Sequence, residues 1–286
     1  MNNTLSRLAI AAGILMAGVA AFAQNISWVP NWSSAMSTSA KSGKLIMASF
    51  YTKWDQYGKM LDAVVYTNPE VIAVSKKFVP VRLDVEGNGS AQAKKYKIKN
   101  YPTIMFIDPK GNVVGTIDGL ETPDEFVKHA NTFVKDYADF PKATAKLAAN
   151  SKNLDAITRL GVIYANRYEV AKAEQYLKRA TAIDPQNRTD KLSDLYNAIG
   201  DHYQNASQFS KAIQYFEKSA ATSKTTDKRA YGYLSIATCY MTMNPPQFRK
   251  MEAPINAALK LPNLKQEDKD IAESLREQMQ KGLNGG

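Results

Sequence analysis

The sequence predicts two units: an α/β sandwich, with a mixed sheet flanked by helices, followed by an all-α helical stack. Three observations carry this. In the first half, short apolar runs alternate with helical periodicity and end in a hairpin signal. In the second half no strand pattern occurs. There, a helical pattern of 34 residues, 154–187, returns in altered form further on.

The chain has 286 residues, enough for two ordinary domains. Residues 8–21 are almost wholly apolar behind a lone Arg7, and Ala21-Phe22-Ala23 is a small-x-small step. This predicts a secretory signal over 1–23 and an exported mature chain, periplasmic or extracellular, starting at Gln24. The apolar run falls short of the roughly 20 residues that span a bilayer, so no transmembrane anchor is expected after cleavage. The residue directly after the cleavage step is Gln24 and not a cysteine, which closes the lipid-anchoring route. Cys239 is the single cysteine, so the chain has no internal disulfide and packed cores must hold it.

Residues 24–140 make the sandwich. Residues 28–42 begin irregular and turn helical, with Trp32, Ala35, Met36 and Ala40 apolar, and Ser42-Gly43 stops them. Residues 45–51 form a continuous apolar run, as a strand buried on both faces requires. A helix follows Trp54, with Met60, Leu61, Val64 and Val65 partly on one face. Asn68-Pro69 opens another helix holding Val71, Ile72, Val74 and Phe78; Pro69 sits in the first turn, where its missing N–H costs nothing. Residues 79–85 are a strand and Gly87-Asn88-Gly89 a turn. A short helix over 91–96 leads to a strand over 103–107. Asp108-Pro109-Lys110-Gly111 turns it back into a strand over 113–117. A closing helix over 123–140 carries Phe126, Val127, Ala130, Phe133, Val134 and Tyr137 at helical spacing.

These residues resemble the thioredoxin superfamily across essentially all of 24–140. The resemblance rests on FYTKW at 50–54, KM at 59–60, NPEV at 68–71, FVPVRLDVE from Phe78, KKYKIKNYPTIMFIDPKGNVV at 94–114 and DG at 118–119. It implies a thioredoxin-like sandwich, with Tyr101-Pro102-Thr103 as its cis-proline loop. It also implies a site at 54–58, where the family carries Trp-Cys-x-x-Cys. There the first cysteine, at a helix N-terminus, is a nucleophile with a lowered pKa, and the second resolves the mixed disulfide. Here the two cysteine positions hold Asp55 and Gly58. Many members place a buried carboxylate five residues before the tryptophan; here that residue is Ser49. The positions therefore supply no thiolate, no resolving thiol and no internal base, and thiol–disulfide exchange is not expected of this domain.

Asp55 has two readings: a helix N-cap, worth about 1 kcal/mol over Ala, or an anion that meets a ligand. Gly58 in the first turn weakens the helix by roughly 1 kcal/mol relative to Ala, with no compensation visible in the sequence. The resemblance leaves a peptide-binding surface of Trp54, Tyr57, Tyr101, Pro102 and Gly119, where an extended peptide adds a strand and needs no sulfur. The alternative is that Tyr57 and Tyr101 cover the old site, packed on each other or under a neighbouring unit.

Residues 154–187, LDAITRLGVIYANRYEVAKAEQYLKRATAIDPQN, resemble a tetratricopeptide repeat. Leu160-Gly161 and Tyr164 fall on its first helix, Ala173, Leu177 and Ala180 on its second, and Pro185 ends it. A second unit runs over about 193–226 and a third begins near Tyr231, displaced by Asn244-Pro245-Pro246 and interrupted by Pro254. The expected layout is a helical connection over 141–153, repeats over 154–262, then a charged capping helix and a disordered tail, Gly282 onward, within 263–286. The resemblance implies a concave groove for protein or peptide partners, lined by Asp155, Thr158 and Val162, then Asp194, Asn197, Asp201 and Gln204. No carboxylate clamp is visible, and the acids serve either a basic ligand or simple solvation.

Lys and Arg exceed Asp and Glu by 37 to 27, and 22 of those basic residues lie in 141–286 against 15 acids. The excess favours an acidic partner or is ordinary solvated helix; the lysines are scattered among acids, as the second requires. His129 and His202 are the only histidines and lack ligand neighbours, and no phosphate-cradling glycine loop or nucleophilic serine motif occurs. No metal, cofactor or nucleic-acid partner is expected. Cys239 reads as a packed small apolar residue.

Overall fold

The computed structural model describes residues 25–284, so the signal assignment over 1–23 lies outside the described residues. Four strands form one mixed sheet in the order β2-β1-β3-β4. β1 (Ile46–Tyr51) pairs parallel with β2 (Val79–Asp84) and antiparallel with β3 (Thr103–Ile107). β4 (Val113–Asp118) pairs antiparallel with β3. β1 is buried along almost its whole length, as its unbroken apolar run requires of a central strand. Val29 adds one parallel bridge to Val81 at the β2 edge.

Helices cover both faces. α1 (Trp32–Ser42) starts at an Asn31 cap and ends at Gly43 in the left-handed region. It shares one face with α4 (Ser90–Lys95), over Ala35, Ile46, Ala48, Phe50 and Leu83. On the other face lie α2 (Gln56–Met60), a π-turn (Leu61–Val65), α3 (Pro69–Ser75) and α5 (Pro123–Ala149). Their core is Leu61, Val65, Val71, Ile104, Phe106, Phe126 and Phe133. Asn68 caps α3 through the N–H groups of Glu70 and Val71. Phe78, expected on that helix, falls in the turn after it and packs on Phe106.

The second unit is helical throughout. α6 (Leu154–Asn166), α7 (Val170–Ile183), α8 (Leu192–Asn205), α9 (Phe209–Thr222), α10 (Thr226–Thr242) and α11 (Phe248–Leu259) pack as successive hairpins, and α12 (Gln266–Asn284) closes them. α6 also touches β4. No described helix is long and apolar enough to cross a membrane.

Three sequence expectations are corrected. The closing helix expected over 123–140 runs on through Pro141 to Ala149, so much of the helical connection expected over 141–153 is its continuation. Pro141 denies the Tyr137 carbonyl its helical donor, but packing holds both halves. Phe126, Ala130 and Phe133 sit in the sheet core, while Ala143 is buried and Phe140 meets Tyr164 edge-on at 5.9 Å. Pro254 likewise lies buried inside a continuous α11, between Met251 and Ile255. Finally, α12 includes Gly282, Leu283 and Asn284, so the tail is ordered that far; a side chain at Gly282 would meet the Phe248 ring at 2.4 Å. Residues 285 and 286 lie outside the described residues.

Candidate functional site

The site stands at the end of β1, where the chain turns through Trp54 into α2. Asp55 is 6% exposed and accepts from the N–H of Tyr57 at 3.0 Å and of Gly58 at 2.9 Å. Both carboxylate oxygens are thus engaged in capping the helix, the first of the two readings. The cap also explains Gly58. A Cβ there would stand 2.9 Å from Asp55 Oδ2, so the carboxylate reaches the helix terminus because no side chain intervenes. Replacing Asp55 by Ala should lower stability by about 1 kcal/mol, read from the urea midpoint at constant m.

The Ser49 position is closed as well as neutral. Ser49 is buried, and its hydroxyl accepts from the Tyr66 phenol at 2.9 Å. Burial pushes the Tyr66 phenol well above its ordinary range, against the opposing Ser49 hydrogen bond, so it stays a donor. Tyr66 also packs edge-on against Trp28 and Phe126. A hydroxyl pair therefore occupies the place of the expected internal base.

Across from β1, the Tyr101-Pro102 bond is cis. Gly119, in the left-handed region, donates its N–H to the Pro102 carbonyl at 2.8 Å and ties the two loops together. Neither the N–H nor the C=O of Tyr101 has a hydrogen-bond partner among the described residues. The Trp54 ring meets Tyr101 edge-on at 6.3 Å, and its indole N–H donates to Glu86 at 3.0 Å. Trp54 is 63% exposed and Tyr57 60%, so no other part of the described chain covers them. Of the five surface residues, Trp54 and Tyr57 are exposed, Tyr101 and Gly119 half-buried and Pro102 buried.

Sequence reasoning missed several neighbours. Met60, Leu61, Val64 and Val65 do not share a face: Leu61 and Val65 enter the core, while Met60 and Val64 point outward. Adjacent helical residues point about 100° apart, which separates the two pairs; the segment closes in a π-turn, with its Tyr66 N–H to Leu61 O bond at 2.9 Å. Glu86 and Tyr66 meet the site only through tertiary folding. Thr52 is buried with its hydroxyl unpartnered.

The remaining candidates lie elsewhere. Cys239 is buried in α10, its thiol pushed up to about 12, by burial first and the Asp201 charge second. A thiol so placed is protonated at neutral pH and closed to a polypeptide substrate. His129 is paired with Glu121 at 2.9 Å, and His202 packs edge-on against Tyr168 and Tyr203. The groove acids have partners inside the chain: Asp155 meets Lys191, Asp194 meets Lys228, and Asp201 accepts from Tyr231 at 2.7 Å.

Several solved structures are similar to part of this chain. A thioredoxin from Thermus thermophilus is 22% identical in sequence, covering 40% of this chain and 92% of its own, with a TM-score of 0.37. A putative disulphide-isomerase from Bacteroides thetaiotaomicron is 28% identical, covering 39% and 95%, with a TM-score of 0.36. The oxidised DsbD C-terminal domain of Neisseria meningitidis is 23% identical, covering 35% and 90%, with a TM-score of 0.32. No curated protein matches the chain. The family profile for the thioredoxin-like domain matches residues 32–133, and this part of the chain is a thioredoxin-like domain.

Proposed function

We propose that this chain is an exported, redox-inactive polypeptide-binding protein of the cell envelope. In this reading a thioredoxin-like domain presents its old substrate surface beside a stack of tetratricopeptide-type repeats, and the whole acts as an adaptor or scaffold. The observation that carries it is the pairing at one site of lost chemistry with a kept surface. The cysteine positions hold a capping carboxylate and a glycine. Yet the cis-proline loop, the free main chain of Tyr101 and the exposed Trp54 and Tyr57 rings remain. An extended polypeptide satisfies the Tyr101 N–H and C=O by strand addition, and the rings contact its side chains. Helix hairpins with a concave face supply a second surface for a protein partner.

The competing reading, a thiol–disulfide oxidoreductase, needs an accessible low-pKa thiol, and the buried Cys239 is neither. A purely structural subunit would bury Trp54 and Tyr57 in an assembly, and their exposure in the single chain favours binding over it. The test is direct. The protein should not accelerate insulin reduction above a protein-free control, and it should bind a permanently unfolded probe such as reduced, carboxymethylated α-lactalbumin. Trp54→Ala and Tyr101→Pro should each weaken that binding roughly tenfold or more, as loss of a central anchor does. Insulin reduction that persists in Cys239→Ser would overturn the reading, as would probe binding indifferent to both variants.

A further inference from the structure

The outer face of α2 and the π-turn is apolar. Met60 is 49% exposed and Val64 55%, and they continue a line begun by Trp54 and Tyr57. Positions four apart share a face of a helix, so Met60 and Val64 both face outward while Leu61 and Val65 both reach the core. The result is a stripe leading away from the cis-proline loop, joined to it by the Trp54–Tyr101 contact. Its exposed apolar area is on the order of a few hundred Å², the size at which a patch on a monomer marks a binding surface.

We infer that this stripe extends the binding surface and selects its ligand: an extended polypeptide segment whose residues beyond the strand-pairing stretch carry large aliphatic or aromatic side chains. The inference rests on the polypeptide-binding reading above and adds the chemistry of the partner. Two observations choose this occupant. The unpartnered N–H and C=O of Tyr101 call for an extended main chain. The patch is also smaller than the roughly 800 Å² per partner that a stable pair of folded chains buries, which argues against a second copy. Met60 suits such a role, because an unbranched thioether adapts to side chains of different shape.

The test uses the full mature chain and two cysteine-free synthetic peptides with one common strand segment. One is extended by leucine and phenylalanine, the other by serine and asparagine. The wild type should bind the apolar-tailed peptide about tenfold more tightly, the gain expected from burying one or two such side chains in part. Met60→Asp/Val64→Asp, both at exposed positions, should erase that preference and leave the polar-tailed peptide within about twofold of its wild-type affinity. A double variant that keeps the preference, or a wild type that shows none while binding both peptides, overturns this inference and leaves the proposed function standing. A wild type that binds neither peptide overturns both. Sedimentation as a dimer that the double variant converts to monomer overturns it in favour of a second copy.

Discussion

Replacing Arg159 by Ala should cost about 3–5 kcal/mol at neutral pH, the loss expected when one partner of a buried ion pair is removed. Asp136, on α5, is fully buried. It meets Arg159 of α6 at 2.7 Å and accepts from the Asn166 amide at 2.7 Å. Arg159 also holds Asp139 at 3.0 Å. Burial pushes the Asp136 carboxyl above the usual range, and Asn166 and Arg159 oppose that rise. Without the guanidinium the carboxyl moves further up. A carboxyl raised in the folded state favours folding when protonated. The variant should therefore regain stability as pH falls from neutrality through its folded pKa toward the ordinary carboxylate value. Urea unfolding at pH 7 and pH 5 reads both effects. A loss under about 1 kcal/mol at pH 7 would show that water reaches Asp136 freely.

The second large effect is expected at Gly115, and its cause is steric. The residue lies in β4 opposite Phe106, next to the register shift between Phe106 and Ile107. A Cβ there would fall 2.1 Å from the Phe133 ring of α5. Phe133 in turn packs on Phe106 at 4.9 Å, so the ring has no room to retreat. Gly115→Ala should therefore destabilise by about 3 kcal/mol, at the upper end of overpacking costs. Adding Phe133→Leu should recover part of the loss, leaving the double variant more stable than the sum of the singles implies. Strict additivity in the unfolding midpoints would place the strain elsewhere.

The sandwich was legible where local chemistry decides structure. The apolar run at 45–51 marked the central strand, Asn68-Pro69 opened α3, and Asp108-Pro109-Lys110-Gly111 turned the β3–β4 hairpin. At the site the Asp55 cap was one of two readings of that residue, and the cis-proline loop was implied by the resemblance. What escaped depends on distant partners. Proline discourages a helix locally, so Pro254 read as an interruption, and nothing local marked Pro141 as the middle of a helix. Only the packing of α5 on both units, and of α11 against α12, outweighs the lost hydrogen bonds. The π-turn has no sequence signature of its own. Gly58 looked like a defect because its reason is a carboxylate three residues away that bends back onto it.

α5 has a mechanical consequence. One helix of 27 residues serves both units, a rod of about 40 Å whose two ends are clamped by different cores. A ligand that touched both the cis-proline end of the sheet and the concave helices would meet them at a set separation, as on a ruler. Lengthening or shortening such a ligand should change its avidity steeply, where a floppy tether would average the difference away.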